Sequence, residues 1–482
     1  MLKKSIFVIF ILVFSIPSAW AKQSWDLAVS QEGQDNYITA MDAVGTDLAW
    51  FIGATSNSGN TQLVGYRSTD GASFSQIMLP QASSQGGMVM FTAIRFVDQN
   101  NGFLAGMEMS MPFKSDFDFA ENIVWKTTNG GMNWEILDDS FDEMLVKMVK
   151  DNNGALYGIT SADVYFSNGN SAFTQGTLPA LPQDASLNNL QMLDGSIGFL
   201  VGGTGPDSDN PSRSYGNGFV FKTTDGGSNW TVLHDNFPMQ VTAVFFINED
   251  RGWISGNDAE QAYIYYTDDG GQNWTQQSLP WHESFVVEFE VPFKFTETID
   301  SAPATHISDI KFFDCNRGVA LGTVCISNCE PDAEENPTAV TMFYRTYDAG
   351  ATWELDQHYE EAMNGWGQMM AESKFMSSMI TMAFPSPNHG YIGGQHLMAL
   401  VYDADEPEEE PALGIPDCSG GSNNNNNTNN TNNTNNGTGE TSTTDDDGCG
   451  CTHPGKSSGK IPFSSSFFLI FGLFFLIKLI KH

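Results

Sequence analysis

Short runs of alternating apolar and polar residues, separated by polar turns rich in glycine, recur along most of the chain. Runs such as IVWK (123–126), FVFK (219–222) and MFYR (342–345) each precede a turn, and a short run such as WEIL (134–137) or WTVL (230–233) follows it. Alternation with a period of two, bounded by turn residues, is typical of half-buried β-strands. The pattern therefore predicts an all-β fold.

The turns between these runs share one motif. Its five full copies are STDGASF (68–74), TTNGGMNW (127–134), TTDGGSNW (223–230), TDDGGQNW (267–274) and TYDAGATW (346–353), and FSNGNSAF (166–173) is a degenerate sixth. The Asp or Asn oxygen can accept hydrogen bonds from backbone N–H groups two residues on, and the glycine supplies a positive φ. The Trp anchors the outgoing strand in a packed layer. The predicted structural residues are Asp70, Asn129, Asp225, Asp269, Asp348, Trp134, Trp230, Trp274 and Trp353.

A second repeat runs in step with the first: a strand, a polar turn, then a strand that ends in glycine. Its seven copies end at Gly53, Gly106, Gly158, Gly202, Gly256, Gly322 and Gly394, at spacings of 44 to 72 residues. This period and strand content predict a β-propeller of four-stranded blades. The last copy lacks the turn motif and the Trp strand, and WDLAVS (25–30) resembles an orphan outer strand. We therefore expect seven blades, with the N-terminal strand closing the last one and leaving no open sheet edge.

The two coupled repeats resemble the BNR/Asp-box propellers, which include sialidases, sortilin-type receptors and photosystem-assembly-factor-like proteins. The pairing of G-W-x-x-G with T-x-D-x-G-x-x-W is most similar to the last group. The resemblance covers about 380 of the 482 residues. It implies the fold and leaves the activity open, because the Asp-box is a structural turn and function lies elsewhere on the scaffold.

The N-terminal segment resembles a secretory signal peptide. Lys3 and Lys4 precede an apolar stretch over 6–16, and residues 19–21 offer a small-x-small cleavage site. We expect a signal peptide over 1–21 and a mature protein that begins at Lys22. The alternative is an uncleaved anchor helix, for which the apolar stretch is short.

The C-terminal region is predicted to consist of a flexible linker followed by a sorting or anchor tail. Residues 405–447 are an acidic, then Asn/Thr-rich, low-complexity linker that cannot bury a core. Residues 448–482 hold Cys449 and Cys451, an apolar run over 463–477 and a basic end. This arrangement resembles the MYXO-CTERM sorting signal of Gram-negative bacteria, although it lacks that family's Arg-rich end and Ala/Leu-rich helix. The resemblance implies surface retention, with processing or lipidation at Cys449 or Cys451. The alternative is a plain membrane anchor.

Charge and cysteine content narrow the class of partner. The formal net charge is −37, with only 21 Lys plus Arg. Such a chain repels nucleic acid and anionic lipid, so nucleic-acid binding is disfavoured. The acidity itself is explained by solubility or a salty environment, or by cation capture. Six cysteines suit an oxidising compartment. Cys325 and Cys329 flank a short loop and are the favoured disulfide pair, with three connectivities open among four cysteines; a four-cysteine zinc site is disfavoured by their spacing.

Long segments are expected on one face of the ring. In a four-stranded blade, the turns after strands one and three share one face, and the connections after strands two and four share the other. The Asp-box turns are tight, whereas the long segments 107–122, 203–217, 281–304, 326–338 and 358–378 follow strand two or four. Long loops on one side of a rigid scaffold are where binding sites usually lie, although length drift without function gives the same pattern.

No catalytic set is found in the sequence. A sialidase needs three clustered arginines, and most of the six here lie in or beside turns. Asp-box glycosidases place a carboxylate pair in a cleft between two propellers, and one propeller is expected here. We predict no catalytic residues and no cofactor. Arg95, Lys147 and Lys311 fall at one inner-strand position and could bind an anion or pair with carboxylates. Met107, Met109 and Met111 could bind Cu(I) or form a soft apolar contact surface.

The sequence thus predicts an exported, cell-surface, monomeric propeller over 22–404 that binds a protein or glycan partner through its long-segment face. Its membrane contact would run through the C-terminal tail. Two other functions remain open. One is a secreted glycan-active hydrolase of the sialidase or another glycosidase type, and the other is an assembly or stability factor for an exported complex.

Overall fold

The structure is a computed structural model that describes most of the chain between residues 23 and 404. The described ranges are 23–29, 35–57, 60–83, 87–109, 120–151, 153–205, 215–281, 285–289, 295–299, 303–327, 338–356, 359, 379–394 and 399–404. The predicted signal peptide, the linker and the tail lie outside them. Within these ranges, no helix has the length and apolar character needed to cross a bilayer.

Four-stranded antiparallel sheets make up nearly all of the described chain, so the predicted all-β propeller is confirmed. Six sheets each use four consecutive strands. Blade 1 contains β2 (Asp35–Val44), β3 (Leu48–Asn57), β4 (Asn60–Ser68) and β5 (Phe74–Ile77). Blade 2 contains β6 (Met88–Phe96), β7 (Gly102–Met109), β8 (Ala120–Thr127) and β9 (Glu135–Phe141). Blade 3 contains β10 (Lys147–Lys150), β11 (Leu156–Ile159), β12 (Val164–Ser167) and β13 (Thr174–Gln175).

The next three sheets follow the same plan. Blade 4 contains β14 (Ser186–Met192), β15 (Gly198–Thr204), β16 (Gly216–Thr223) and β17 (Thr231–Phe237). Blade 5 contains β18 (Gln240–Phe246), β19 (Gly252–Asn257), β20 (Ala262–Thr267) and β21 (Thr275–Gln277). Blade 6 contains β24 (His306–Phe312), β25 (Gly318–Ser327), β26 (Thr338–Thr346) and β27 (Glu354–Leu355).

The remaining four-stranded sheet joins the two ends of the described chain. It contains β28 (Met379–Ser386), β29 (His389–Gly394), β30 (Ala399–Ala404) and, as its outer strand, β1 (Gln23–Val29). β1 runs antiparallel to β30, with Trp25 opposite Tyr402. We call this sheet blade 7. The pairing is the one predicted for residues 25–30, and it covers an edge that would otherwise be open.

One pair of strands was not predicted. β22 (Phe285–Phe289) and β23 (Phe295–Ile299) form a two-stranded antiparallel sheet within the segment that connects blade 5 to blade 6. From the sequence, residues 281–304 were predicted only to form a long connection. A hairpin inserted between two blades does not alter the repeat that specifies the blades, so the period gives no sign of it.

The first strands of the blades form the inside of a ring. The inner strand β2 contacts β6 on one side and β28 on the other, which brings blade 7 back to blade 1. We call the end of the ring with the turns after first and third strands the box face, and the opposite end the loop face.

Aromatic pairs between neighbouring blades form the core. A ring from the second strand of one blade stacks on a ring from the inner strand of the next: Trp50 on Phe96 at 3.7 Å, Phe199 on Phe246 at 3.5 Å, and Trp253 on Phe312 at 3.5 Å between centroids. Such pairs contribute roughly 0.5 to 1.5 kcal/mol beyond area burial. Recurrence of the pair at three junctions fixes the angle between blades.

Blade 7 is fastened to blade 6 through Trp25. Its ring meets Phe343 edge-on at 5.0 Å, and its Nε1 donates to Asp356 Oδ1 at 3.4 Å. The other carboxylate oxygen of Asp356 accepts a charge-assisted bond from Arg345 Nε. Trp25 and Asp356 are both buried, so the N-terminal strand is held by packing and by a buried ion pair as well as by its ladder.

Candidate functional site

The Asp-box side chains close their own turns. In the four boxes with a Trp, the Asp or Asn Oδ1 accepts from the backbone N–H four residues on, at 2.8 or 2.9 Å. Asp70 instead accepts from Ala72 and Ser73. The motif predicted a hydrogen bond from the backbone N–H two residues after the Asp or Asn. In the four boxes with a Trp the donor is instead four residues on, because the Thr hydroxyl also takes part in the turn. Thr223 Oγ1, for example, accepts from Gly227 N at 3.1 Å.

These hydrogen bonds favour the ionised carboxylate. Bonds from the Asn229 side chain and backbone hold the pKa of Asp225 below its usual value. The backbone N–H of Asn273 is the main cause that lowers the pKa of Asp269 to about 2. An aspartate whose oxygens are occupied in this way is a poor general acid or nucleophile at neutral pH.

The tryptophans of the boxes anchor the turns at the blade edges. Trp230 Nε1 donates to Gly227 O at 3.1 Å and Trp274 Nε1 to Gly271 O at 3.0 Å, both within the turn. Trp134 and Trp353 reach a neighbouring blade, at Met78 O and Gln277 Oε1. The box face is thus a set of structural turns, in which Trp230 and Trp274 close their own turn and Trp134 and Trp353 tie it to the preceding blade.

The loop face carries every long connection between blade strands. The five segments predicted to be long are the connections 110–119, 205–215 and 328–337, which follow second strands, and 278–305 and 356–378, which follow fourth strands. All five leave from the face opposite the boxes, as do the ten-residue connections 78–87 and 176–185. Most of their residues lie outside the described ranges, so the site is built here from the strand ends that support them.

A row of buried polar side chains crosses three blades at this face. Gln240 begins β18 and pairs with Asn257 at the end of β19. Gln240 Nε2 donates to Asn188 Oδ1 of blade 4 at 3.4 Å, and Asn257 Oδ1 lies 3.2 Å from His306 Nδ1 of blade 6. Gln240, Asn257 and His306 are at most 8% exposed. The loop-face polar cluster consists of these four residues and Tyr215: Asn188, Tyr215, Gln240, Asn257 and His306.

The loop-face polar cluster is electrically neutral at neutral pH. Burial lowers the pKa of His306 to about 4, so the imidazole is uncharged. Burial also raises the pKa of the Tyr215 phenol, which stays protonated. Asn257 lies beside Tyr215, yet no hydrogen bond of normal geometry from a described residue reaches the buried Tyr215 hydroxyl. The cluster therefore offers neutral donors and acceptors, one of them unsatisfied within the described chain.

The nearest carboxylate is already engaged. Asp258 follows Asn257; its Oδ1 accepts from the backbone of Glu260 and Gln261, and its Oδ2 accepts from the Tyr263 hydroxyl at 2.6 Å. Glycoside hydrolysis needs two facing carboxyl groups, and Asp258 is the one carboxylate next to the cluster for which the described residues give hydrogen bonds. The described residues also contain no group of three or more His, Cys, Asp or Glu side chains able to hold a metal ion.

The sequence predicted that Arg95, Lys147 and Lys311 occupy the same position on the inner strands of their blades. The structure shows that Lys147 does not. Arg95 pairs with Phe103 and Lys311 with Val319, each one residue after a glycine that begins a second strand. In blade 3 the residue at that position is Val149, which pairs with Tyr157. Lys147 lies two residues earlier, level with Asp309. The repeat was aligned on Gly158, but β11 begins at Leu156, at the position where the second strands of blades 2, 4, 5 and 6 begin with glycine.

The three cations have different surroundings. Arg95 Nη1 donates to Met41 O of blade 1 at 3.1 Å and to Ile94 O at 2.6 Å. Lys311 Nζ donates to Phe384 O of blade 7. For Lys147, no hydrogen bond to another described residue is recorded. Arg95 and Lys311 therefore join blades through backbone carbonyl oxygens and not through the carboxylates that the structural alternative named.

The other predicted site residues are only partly described. Met107 is buried and Met109 half-buried on β7, and Met111 lies outside the described ranges. Cys315, between β24 and β25, forms a disulfide. Gly318 and Cys325 are seven residues apart on β25, or about 23 Å at 3.3 Å per residue, so the backbone places Cys315 and Cys325 toward opposite faces of the ring. The Cys325–Cys329 pair stays a prediction, and Cys329, Cys449 and Cys451 are not described.

Sequence reasoning missed the loop-face polar cluster. The residue after the repeat glycine gave no clear signal: the seven copies have Ala54, Met107, Ile159, Gly203, Asn257, Thr323 and Gln395 there, so Asn257 does not stand out as the one polar residue.

The fold is similar to that of several solved structures. YCF48 bound to D1 peptide is 16% identical, with 79% of this chain and 97% of that chain covered and a TM-score of 0.49. YCF48 from Cyanidioschyzon merolae is 14% identical, with 79% and 98% covered and a TM-score of 0.46. The GH93 α-L-arabinofuranosidase of Fusarium graminearum with arabinobiose is 9% identical, with 66% and 96% covered and a TM-score of 0.39. No family model and no curated protein matches. At these identities the likeness extends to the fold alone.

Proposed function

We propose that this chain is an exported, seven-bladed propeller that acts as a non-enzymatic binding module and engages a protein or glycan partner through its loop face. The observation that carries the proposal is the placement of all five long connections on that face, opposite the uniform Asp-box turns. A rigid ring that varies on one side only is suited to recognition.

The chemistry of the loop-face polar cluster supports binding rather than catalysis. Neutral amide, imidazole and phenol groups donate and accept hydrogen bonds without imposing a charge. Peptide groups and sugar hydroxyls need partners of this kind. Acid–base catalysis at neutral pH needs a group whose pKa lies near the working pH, and burial moves His306 and Tyr215 away from it.

Site-specific photo-crosslinking tests which face binds. A photoreactive residue at Glu260, exposed in a loop-face turn, is compared with one at Thr224, exposed in a box-face turn, in the full-length protein on intact cells. We expect a discrete crosslinked partner from position 260 and none from 224. Crosslinks from 224 alone would overturn the choice of face. Hydrolysis of an envelope glycan by the purified protein would overturn the non-enzymatic assignment.

We further propose that the C-terminal tail holds the protein at the cell surface. The apolar run 463–477 has 15 residues, fewer than the roughly 20 that span a bilayer, so it suits transient recognition better than permanent anchoring. Changing both Cys449 and Cys451 to Ser should leave the precursor unprocessed. Intact-mass analysis of the wild-type surface protein decides the point: if residues 452–482 are still attached, the tail is a plain anchor.

A further inference from the structure

Six charged side chains on the inner strands meet in the central channel of the ring. They are Asp42, Arg95, Lys147, Lys150, Asp309 and Lys311, which we call the channel cluster. Lys150 of blade 3 reaches Asp42 of blade 1 at 2.9 Å, past the intervening blade 2. The charge of Asp309 in blade 6 acts on Lys147 in blade 3. These contacts between blades that are not neighbours place the six groups around one axis.

The channel cluster has a surplus of positive charge. It contains four cations and two carboxylates, in a chain whose net charge is −37. The local surplus of two positive charges therefore runs against the composition of the whole protein. Random placement of 21 basic among 58 acidic residues favours the opposite sign.

Most of the cations bond to groups that do not cancel their charge. Arg95 donates to two carbonyl oxygens and Lys311 to one. Lys150 donates to Phe96 O and pairs with Asp42, whose Oδ2 also accepts from Phe96 N at 2.6 Å. Carbonyl oxygens satisfy donors but carry no net charge. Among the described residues, Asp42–Lys150 is the one ion pair within 4 Å in the channel cluster.

The ammonium group of Lys147 has hydrogen-bond donors that no described residue uses. No hydrogen bond from its ammonium to another described residue is recorded, and its charged neighbours are Asp309, which attracts it, and Arg95, which repels it. The bonds recorded for Arg95 use Nη1. Lys147 and Arg95 lie on the neighbouring inner strands β10 and β6, which pack against each other. Two cations on adjacent strands with donors to spare form an anion site, in which a lysine supplies the point charge and an arginine the planar fork.

We propose that the central channel binds one small oxyanion, held by Lys147 and Arg95, with Lys150 and Lys311 adding to the positive field. The phosphate, sulfate and carboxylate groups share the required chemistry. Burial disfavours the charged form of Lys147 and Lys311 and lowers the pKa of both, and a bound anion relieves that penalty. The inference concerns the channel and does not depend on what binds the loop face.

Calorimetric titration of the full-length protein at low ionic strength tests the proposal. Inorganic phosphate, sulfate and acetate are titrated separately, which distinguishes a tetrahedral oxyanion from a carboxylate. We expect saturable binding of one anion per chain, weakened by added chloride, and a thermal midpoint that rises with anion concentration. No saturable binding of any of the three by the folded wild-type protein would overturn the site.

Two variants assign the site to Lys147. Lys147→Met should weaken binding at least tenfold, whereas Lys147→Arg should retain it. The matched control is Lys222→Met, which removes a lysine that pairs with Glu249 at 3.8 Å outside the channel, and it should bind as the wild type does. If Lys147→Met fails to fold, Lys147→Gln replaces it. Equal affinity in the folded Lys147 variants and the wild type would show that the anion binds elsewhere.

Discussion

The Asp-box carboxylates and the loop-face polar cluster make their hydrogen bonds over different sequence distances. At the box face, Asp225 bonds to residues two and four positions away. At the loop face, the Asn257–His306 contact joins residues 49 apart and the Gln240–Asn188 bond joins residues 52 apart. A local turn can be copied from blade to blade without reference to the rest of the chain. A contact between blades depends on both partners, so it can differ at each junction and is available for recognition.

The largest loss of stability is expected at the junction of blades 6 and 7, which closes the ring. Asp356→Ala removes the carboxylate that pairs with buried Arg345 and accepts from Trp25. Breaking a buried ion pair costs roughly 3 to 5 kcal/mol, so urea unfolding should show a loss of that size, with faster hydrogen exchange at both faces. The control Glu354→Ala removes the exposed carboxylate opposite Arg345 and should cost less than about 0.5 kcal/mol. Equal losses would mean that the junction is not held by this pair.

Acid should weaken the loop face before the box face. The pKa of His306 falls from 6.5 when unfolded to about 4 when folded. Between these values the unfolded state binds the extra proton, so stability falls as the pH drops from 6.5 to 4, by up to about 3 kcal/mol. The carboxylates of the boxes, with lowered pKa values, contribute their loss only below about pH 4. Urea unfolding of His306→Gln from pH 8 to pH 4 should show a shallower decline than the wild type, and parallel curves would refute the assignment.

A box substitution should cost stability and leave recognition unchanged. Asp225→Ala removes the acceptor for Asn229 N, Asn229 Nδ2 and Thr223 Oγ1. Because the site is exposed and water replaces part of these bonds, we expect a loss of about 1 kcal/mol, against no measurable loss for the exposed neighbour substitution Asp268→Ala. Crosslinking from position 260 should persist wherever the variant is folded. If binding fails while stability is intact, the box face takes part in recognition.

The smallest effect is expected at the one full box that has alanine in place of the first glycine, directly after the Asp or Asn. Ala349 has a φ of +62°, in the region where Gly226 and Gly270 lie at +73° and +74°. An L-residue pays roughly 1 kcal/mol for this conformation, so Ala349→Gly should raise the thermal midpoint by a few degrees at most. Gly270→Ala should lower it by a similar amount. A fall in the Ala349→Gly variant would mean that the methyl group, which packs against the blade 5–6 core, outweighs the strain.

Sequence could predict what is local or periodic. The boxes, the blade period and the closing strand follow from turn chemistry and strand patterns within one repeat. The position of Lys147 could not be predicted, because blade 3 has Leu156 where blades 2, 4, 5 and 6 have glycine and the register changes with it. The loop-face polar cluster brings together β14, β18, β19 and β24. In the sequence its members are isolated polar residues, and only the closed ring brings them into contact.

The outer strand of blade 7 also governs how the ring bears a pulling force. The chain leaves the propeller after Ala404, at the end of β30, and β30 lies between β29 and β1. A pull along β30 must therefore shear two antiparallel ladders at once, whereas an edge strand would peel from one partner, bond by bond. Gln23, the first residue of β1, lies opposite Ala404, the last residue of β30. β1 therefore supports β30 at the end where a force on the C-terminal region would act. Swapping the two ends by circular permutation would keep the fold and give up that resistance, and stretching of single molecules would measure the difference.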